Sequence, residues 1–305
     1  MKIHSYNEWE TLREVYVGIA DYANWPSDDL VFQKEMADAP WRETPPPSGA
    51  VPQWVIDETN EDLDTLVDIL VQHNVKVNRP KPFDFQSEGG MHNYCPRDRY
   101  FIAGDTIVDP AMMIPARDME HRSYSDMLNG NTVKYMPRNE GMILDAANIC
   151  RLGNTWLMLE SASGNQPAYN WMCEQFPTIN IELTNFYAGV HIDSTISLLN
   201  EGTALVNSAR VNSDNLPKCL KDWDILWVDK VEARDFYSYP YASAWIGVNV
   251  LSIDSSTVIV DKIQTGIITM LEKKGFTVIP HELRHSRTLG GGYHCVTLDT
   301  WRENA

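Results

Sequence analysis

The chain has 305 residues, 43% of them hydrophobic and 10% aromatic, enough to bury a substantial core in one large domain or two ordinary ones. A formal net charge of −17 argues against binding nucleic acid through phosphate contacts, while leaving room for a small cationic substrate in a cleft. No apolar run approaches the roughly 18–20 residues needed to span a bilayer, and the N-terminal MKIHSYNEWE lacks the apolar core of a signal peptide.

The cysteines, Cys95, Cys150, Cys173, Cys219 and Cys295, are odd in number and form no CxxC pair. Neither a disulfide framework nor a structural zinc site is expected, and no metal or cofactor is implied. A reduced, cytoplasmic enzyme or binding protein fits best.

In chain order, REVYVGIA (13–20) is predicted as the first arm of an N-terminal hairpin. The acidic, proline-bearing stretch 21–52 fits no repeat and reads as a surface insertion, a candidate lid with no domain boundary. A helix is predicted over 61–73 from its apolar spacing, followed by a short strand at 76–78. Four segments then look alike: YFIAGDTIVD (100–109), ICRLGNTWLM (149–158), SLLNEGTALV (197–206) and NVLSIDSSTVIV (249–260). Each is an apolar strand, a polar turn and a second apolar strand opening at a threonine, the pattern of a β-hairpin.

Short strands interleave with them at 133–136, 179–182, 225–228 and 277–280, the last preceded by a predicted helix over 262–275. The unit is hairpin, helix, strand, recurring about every 50 residues. Five such ββαβ units closing into a ring would make residues 1–305 a single α/β domain. An ordinary α/β sheet with similar turns is the alternative.

The segments that lead from each short strand into the next hairpin hold the unusual polar clusters. They contain Asp98, then Asp145 and Asn148, then His191 and Asp193, then Ser243, and finally Cys295 within LGGGYHC. Equivalent loops of a closed ring converge on its axis, so residues nearly 200 positions apart would share one cavity. A cysteine, a histidine and carboxylates together suggest nucleophilic catalysis, with a base that activates the thiol and an acid that orients the base. Each residue also has a plainer reading: a buried small hydrophobe for Cys295, a structural histidine, a cap for Asp145. Cys95, Cys150, Cys173 and Cys219 keep that plainer reading.

At these residues the chain resembles the amidinotransferases of the pentein superfamily, with their glycine, inosamine-phosphate and cyanobacterial toxin-pathway branches. The matching strings are NEWETLREVYVG (7–18), CPRD (95–98), LDAANICR (144–151), SASGN (161–165), HIDSTI (191–196), NSAR ending at Arg210, ASAW (242–245) and GGGYHC (290–295). They span nearly the whole chain.

The resemblance implies a five-bladed α/β propeller that moves the amidino group of L-arginine to a primary amine, glycine or another, and releases L-ornithine. It implies Cys295 as nucleophile, His191 as general acid and base, and Asp145 as its partner. Asp98 and Asp193 would hold the guanidinium, and Arg210 and Ser243 the amino-acid end of the donor. Asn148 is a further substrate-binding position and stands where glycine amidinotransferase has Asp. Ala242 replaces a serine, which puts glycine in doubt as acceptor.

The expected partners are small molecules, with a homodimer as the assembly and neither nucleic acid nor membrane. Related penteins hydrolyse the same intermediate, as arginine deiminases and dihydrolases do, but usually carry an EGGD-like string where this chain has LDAAN. Ribosome-binding propellers of this architecture lack the aligned Cys, His and Asp.

Overall fold

A computed structural model describes residues 1–38, 45–187, 189 and 191–303. Five three-stranded sheets share one plan, in which a middle strand pairs antiparallel with one neighbour and parallel with the other. The four expected hairpins form: Phe101–Ala103 with Thr106–Asp109, Ile149–Leu152 with Thr155–Leu159, Ile196–Asn200 with Thr203–Asn207, and Leu251–Asp254 with Thr257–Asp261. The strands Thr132–Tyr135, Asn180–Thr184, Asp224–Val228 and Thr277–His281 add in parallel.

The predicted N-terminal hairpin is corrected. The strand Thr11–Val17 takes its antiparallel partner from the other end of the chain, Thr297–Glu303, and its parallel partner from Lys76–Asn78. The turn after it, closed by Ala23 N–H to Ala20 C=O at 3.0 Å, leads to no antiparallel partner for this strand; Gly18 N–H donates to Val296 C=O at 2.8 Å, so the fifth sheet is built from both ends of the chain.

The middle strands are buried on both faces, which explains their near-continuous apolar runs. Successive side chains feed different cores. Leu198 and Val206 pack with Cys150 and Leu157 of the preceding sheet, while Leu199 and Leu205 pack with Val258 and Val260 of the following one. The connecting helices differ in size, from Gln53–Gln72 to a single turn at Lys218–Leu220. Among the described residues no helix is long and apolar enough to cross a membrane.

Of the stretch 21–52, residues 39–44 lie outside the described residues. Its described part forms a two-residue pairing of Asn24–Trp25 with Gly49–Ala50 and a helix, Leu30–Asp38. Trp25, Phe32 and Met36 are buried in the same apolar cluster as Cys95 and Cys295.

The joined termini are pinned by buried charge. Asp299 accepts from Arg97 at 2.5 Å, Arg151 at 2.8 Å, Arg302 at 2.6 Å and the Ser5 hydroxyl at 2.8 Å. Burial would raise its pKa, but Arg151, Arg97 and Arg302 hold the carboxyl well below the usual range. Removing one partner from such a cluster leaves buried charge uncompensated. Asp299→Ala is therefore expected to destabilise the fold by about 3–5 kcal/mol in chemical denaturation; a loss below about 1 kcal/mol would show that the three arginines are hydrated or paired elsewhere.

Candidate functional site

The five loops that precede the sheets meet in sequence. The turn at Pro96–Arg99 packs on Ala146–Asn148, which packs on Ile192–Ser194; that turn packs on Ala244–Val248, which packs on Ser286–Leu289. Arg97 N–H then donates to Cys295 C=O at 3.3 Å, tying the last loop to the first.

This arrangement brings Cys295, His191, Asp145, Asp98 and Asp193 together. His191 Nε2 lies 3.0 Å from Asp145 Oδ2, and its Nδ1 lies 3.6 Å from Asp98 Oδ1. The Cys295 thiol donates to Asp193 Oδ2 at 3.2 Å, and the same oxygen bonds His294 Nδ1 at 2.9 Å. Asp145 precedes a short helical turn but its side chain makes no cap. It accepts instead from Met113 N–H at 2.8 Å and faces His191, which excludes the capping reading. His191 holds a left-handed backbone, φ 47°, costly for a residue with a Cβ and often found at functional sites.

The remaining expected residues fall at the margin of this group. Asn148 Nδ2 donates to Ser163 O and Oγ, both at 2.7 Å, which aims its oxygen away from Ser163. Arg210 lies over the Tyr187 ring at 4.3 Å and donates to Thr195 Oγ1 at 2.7 Å. Among the described residues, Arg210 and Arg287 are the arginines without a carboxylate partner, and burial lowers the pKa of both. Ser243 caps the turn Ala244–Val248 without a side-chain bond, and Arg287 donates to the neighbouring Ala242 carbonyl at 3.2 Å.

Two buried oxygens of the group, Asp98 Oδ1 and Asp193 Oδ1, have no hydrogen-bond donor, and neither does Asn148 Oδ1 at its margin. Buried acceptors without donors are costly, and a donor-rich cation would satisfy those of Asp98 and Asp193.

The electrostatics agree. Burial would lower the His191 pKa, but Asp98 and Asp145 outweigh it and push the value up to about 9. Cys95 beside it, burial and the carboxylates of Asp193 and Asp98 hold the Cys295 thiol well above its ordinary value, so it is protonated. A cleft of about 590 Å³ between Trp9, Glu182 and Trp223 lies elsewhere and contains none of these groups.

Sequence reasoning missed several neighbours. Cys95, read as a small hydrophobe, is buried but lies beside Cys295: a Cβ on Gly291 would come within 2.5 Å of Cys95 Sγ and 3.1 Å of Cys295 Cβ. Glycine is required there for the two sulfur-bearing side chains to come close. Arg117 donates to Asp98 Oδ2 at 2.8 Å and to both oxygens of Glu120, and it comes from a connecting helix that the repeat gave no reason to inspect. Asn249 contacts Cys295 and lies two residues before the strand Leu251–Asp254, inside the segment read as the fourth hairpin, so nothing in the sequence signalled it.

No protein-family model matches the sequence. Inosamine-phosphate amidinotransferase 1 of Streptomyces griseus is 36% identical, over 97% of this chain and 96% of that protein. The chain belongs to the amidinotransferase family.

The solved inosamine-phosphate amidinotransferase of S. griseus superposes with a TM-score of 0.91 at 33% identity, covering 99% of this chain and 97% of that one. SxtG, an amidinotransferase from Microseira wollei in saxitoxin biosynthesis, gives 0.85 at 27% identity, covering 99% and 98%. DDAH from Pseudomonas aeruginosa, at 12% identity and a TM-score of 0.67 over 94% of this chain and 99% of that one, shares the α/β fold alone. The chain is accordingly a transferase, of the class that moves amidino groups.

The His191 charge carries a stability signature. Its folded pKa lies above the ordinary 6.5, so its contribution is complete below pH 6.5 and is lost as pH rises through about 9. The thermal midpoint is expected to fall between these limits, and to fall less in Asp145→Asn. An equal fall in both proteins would mean that Asp145 does not hold the charge.

Proposed function

We propose that the protein transfers the amidino group of L-arginine to a primary-amine acceptor through an amidino-cysteine at Cys295, releasing L-ornithine. The observation that carries this reading is the pair of carboxylates, Asp98 and Asp193, each with a donor-free oxygen, that act on the Cys295 thiol. A guanidinium is planar and cationic, and its N–H groups match carboxylate and amide oxygens arrayed about one plane. Once bound, its charge offsets the carboxylates that keep Cys295 protonated, and the thiolate becomes accessible.

The sulfur attacks the central carbon, and the bond from that carbon to the ornithine nitrogen breaks. His191, positively charged between Asp145 and Asp98, protonates the departing nitrogen. With one proton from the Cys295 thiol and one from His191, ornithine leaves as its ammonium and the amidino group stays on sulfur as a cation; an acceptor arriving as an ammonium returns one proton to His191 and one to the thiolate. Neutral His191 then takes a proton from the acceptor amine, which displaces the thiolate. Arg210 and Ser243 hold the donor carboxylate, with Arg287 adding positive charge next to Ala242. An arginine with no carboxylate of its own is suited to binding one from a substrate.

In this reading residues 1–305 are one domain whose five sheets close as a five-bladed propeller around Cys295. The circuit of loop contacts supports that closure. The described part of the stretch 21–52 covers the site, where Trp25 and Phe32 stack near Tyr241 and keep water from the intermediate.

Relatives named for inosamine-phosphate stand at 33% to 36% identity, whereas an L-arginine:L-lysine amidinotransferase and a glycine amidinotransferase stand at 26%. An aminocyclitol phosphate, lysine and glycine are therefore the amines to compare.

With arginine alone, the enzyme is expected to release ornithine once per active site and then stop, with little citrulline. Adding the right amine restarts release and yields a guanidino product detectable by mass spectrometry. Cys295→Ala abolishes both phases, while Cys219→Ala leaves them intact. Steady citrulline formation without an amine would replace transfer by hydrolysis.

A further inference from the structure

We infer that Asn249 is a catalytic residue whose side-chain N–H stabilises the Cys295 thiolate, as nucleophile in the first half-reaction and as leaving group in the second. The inference rests on Cys295 being the reacting sulfur.

Asn249 is 1% exposed, and its Nδ2 lies 3.2 Å from Cys295 Sγ. The orientation of its amide is fixed by its surroundings. Asn249 Oδ1 accepts from the backbone N–H of His294 at 2.9 Å and of Cys295 at 3.1 Å, so only the nitrogen can face the sulfur. A second hydrogen on that nitrogen is taken by Asp193 C=O at 3.1 Å. The clamp depends on Gly292, where a Cβ would come within 2.7 Å of Asn249 Oδ1 and 2.9 Å of its carbonyl oxygen. Gly291 and Gly292 thus have separate tasks: one lets Cys95 approach Cys295, and the other lets Asn249 hold both the loop backbone and the sulfur.

A neutral donor is the type of group this position requires. Asp193 is hydrogen-bonded to the same sulfur, and Asp98 is close enough to act on its charge. A lysine or arginine in place of Asn249 would pair with Asp193 and compete with the substrate cation for it. An amide N–H stabilises negative charge on sulfur without taking the carboxylate. Because it is held before the reaction by two backbone bonds, it needs no reorganisation as charge develops. When sulfur carries the amidino group the bond weakens, and it strengthens again as the acceptor expels the thiolate, so the same donor serves both steps.

Two substitutions separate this role from a structural one. Asn249→Ala removes the donor and the clamp together. Asn249→Asp retains an oxygen that can accept from His294 and Cys295 but replaces the donor with an acceptor. The readout is the pH dependence of Cys295 alkylation by iodoacetamide, followed on the Cys295 peptide by mass spectrometry, without arginine. This reports on the sulfur whatever the enzyme's substrate, so failure of the arginine reading would not be mistaken for failure of this one.

A hydrogen bond to a charged group corresponds to about one to two pKa units, so both variants should need a higher pH, with about ten- to a hundredfold slower alkylation at neutral pH. Asn249→Asp should be at least as impaired as Asn249→Ala. An Asn249→Asp protein with the wild-type pH profile would overturn the inference and leave Asn249 as a backbone clamp. If Asn249→Ala does not fold, Asn249→Leu, which removes the amide donor without adding charge and fills similar volume, supplies the deciding profile: an upward shift supports the inference and a wild-type profile overturns it.

Discussion

The hydrogen bond from the Cys295 thiol to Asp193 sets the terms for the rest of the site. A carboxylate 3.2 Å from sulfur opposes ionisation of the thiol, and Asp98 opposes it further. The thiol form is therefore favoured while these carboxylates stand alone, and in the proposed reaction a guanidinium would bring the offsetting positive charge together with the electrophilic carbon. On the proposed reading, ionisation of Cys295 is coupled to binding of a cationic substrate. His191 complements this by remaining charged, since Asp98 and Asp145 more than offset its burial.

Asp193 is in turn held from below. It bonds His294, whose Nε2 lies 3.1 Å from Glu8; Glu8 pairs with Arg151, and Arg151 pairs with Asp299. The sulfur is thus connected through one buried chain of charges to the place where the two ends of the polypeptide join. Glu8 is kept ionised there: burial would raise its pKa, but Arg151 and His294 lower it. Such a cluster contributes less through net stability than through the penalty for breaking it. It fixes the N-terminal segment, the second hairpin and the last strand in one relation, as the fixed position of Asp193 requires.

Much of this was legible in the sequence because both sources of order are periodic. The threonine at the start of each middle strand and the apolar alternation of Leu198, Leu199, Leu205 and Val206 made the four hairpins readable. The loops between them exposed Asp98, Asp145, His191, Asp193 and Cys295. The N-terminal hairpin was misassigned because REVYVGIA has the pattern of a hairpin arm, while its partner is nearly the whole chain away; periodicity carries no information about which strand closes a sheet. Asn249 was hidden by its chemistry, since an uncharged amide before a strand looks like any turn residue until its nitrogen is seen on a sulfur. Arg117 was hidden by its position in a connecting helix, outside the loops to which the repeat drew notice. Cys95 was read correctly as buried, but its neighbour is a matter of packing across 200 residues.

The most direct test of amidino transfer through Cys295 is the mass of the protein itself. After incubation with arginine and removal of small molecules, the peptide containing Cys295 should be heavier by one amidino group, and addition of a competent amine should return it to its original mass. A Cys295 peptide that stays unmodified while ornithine and guanidino product accumulate would contradict a covalent route and require direct attack of the amine on bound arginine.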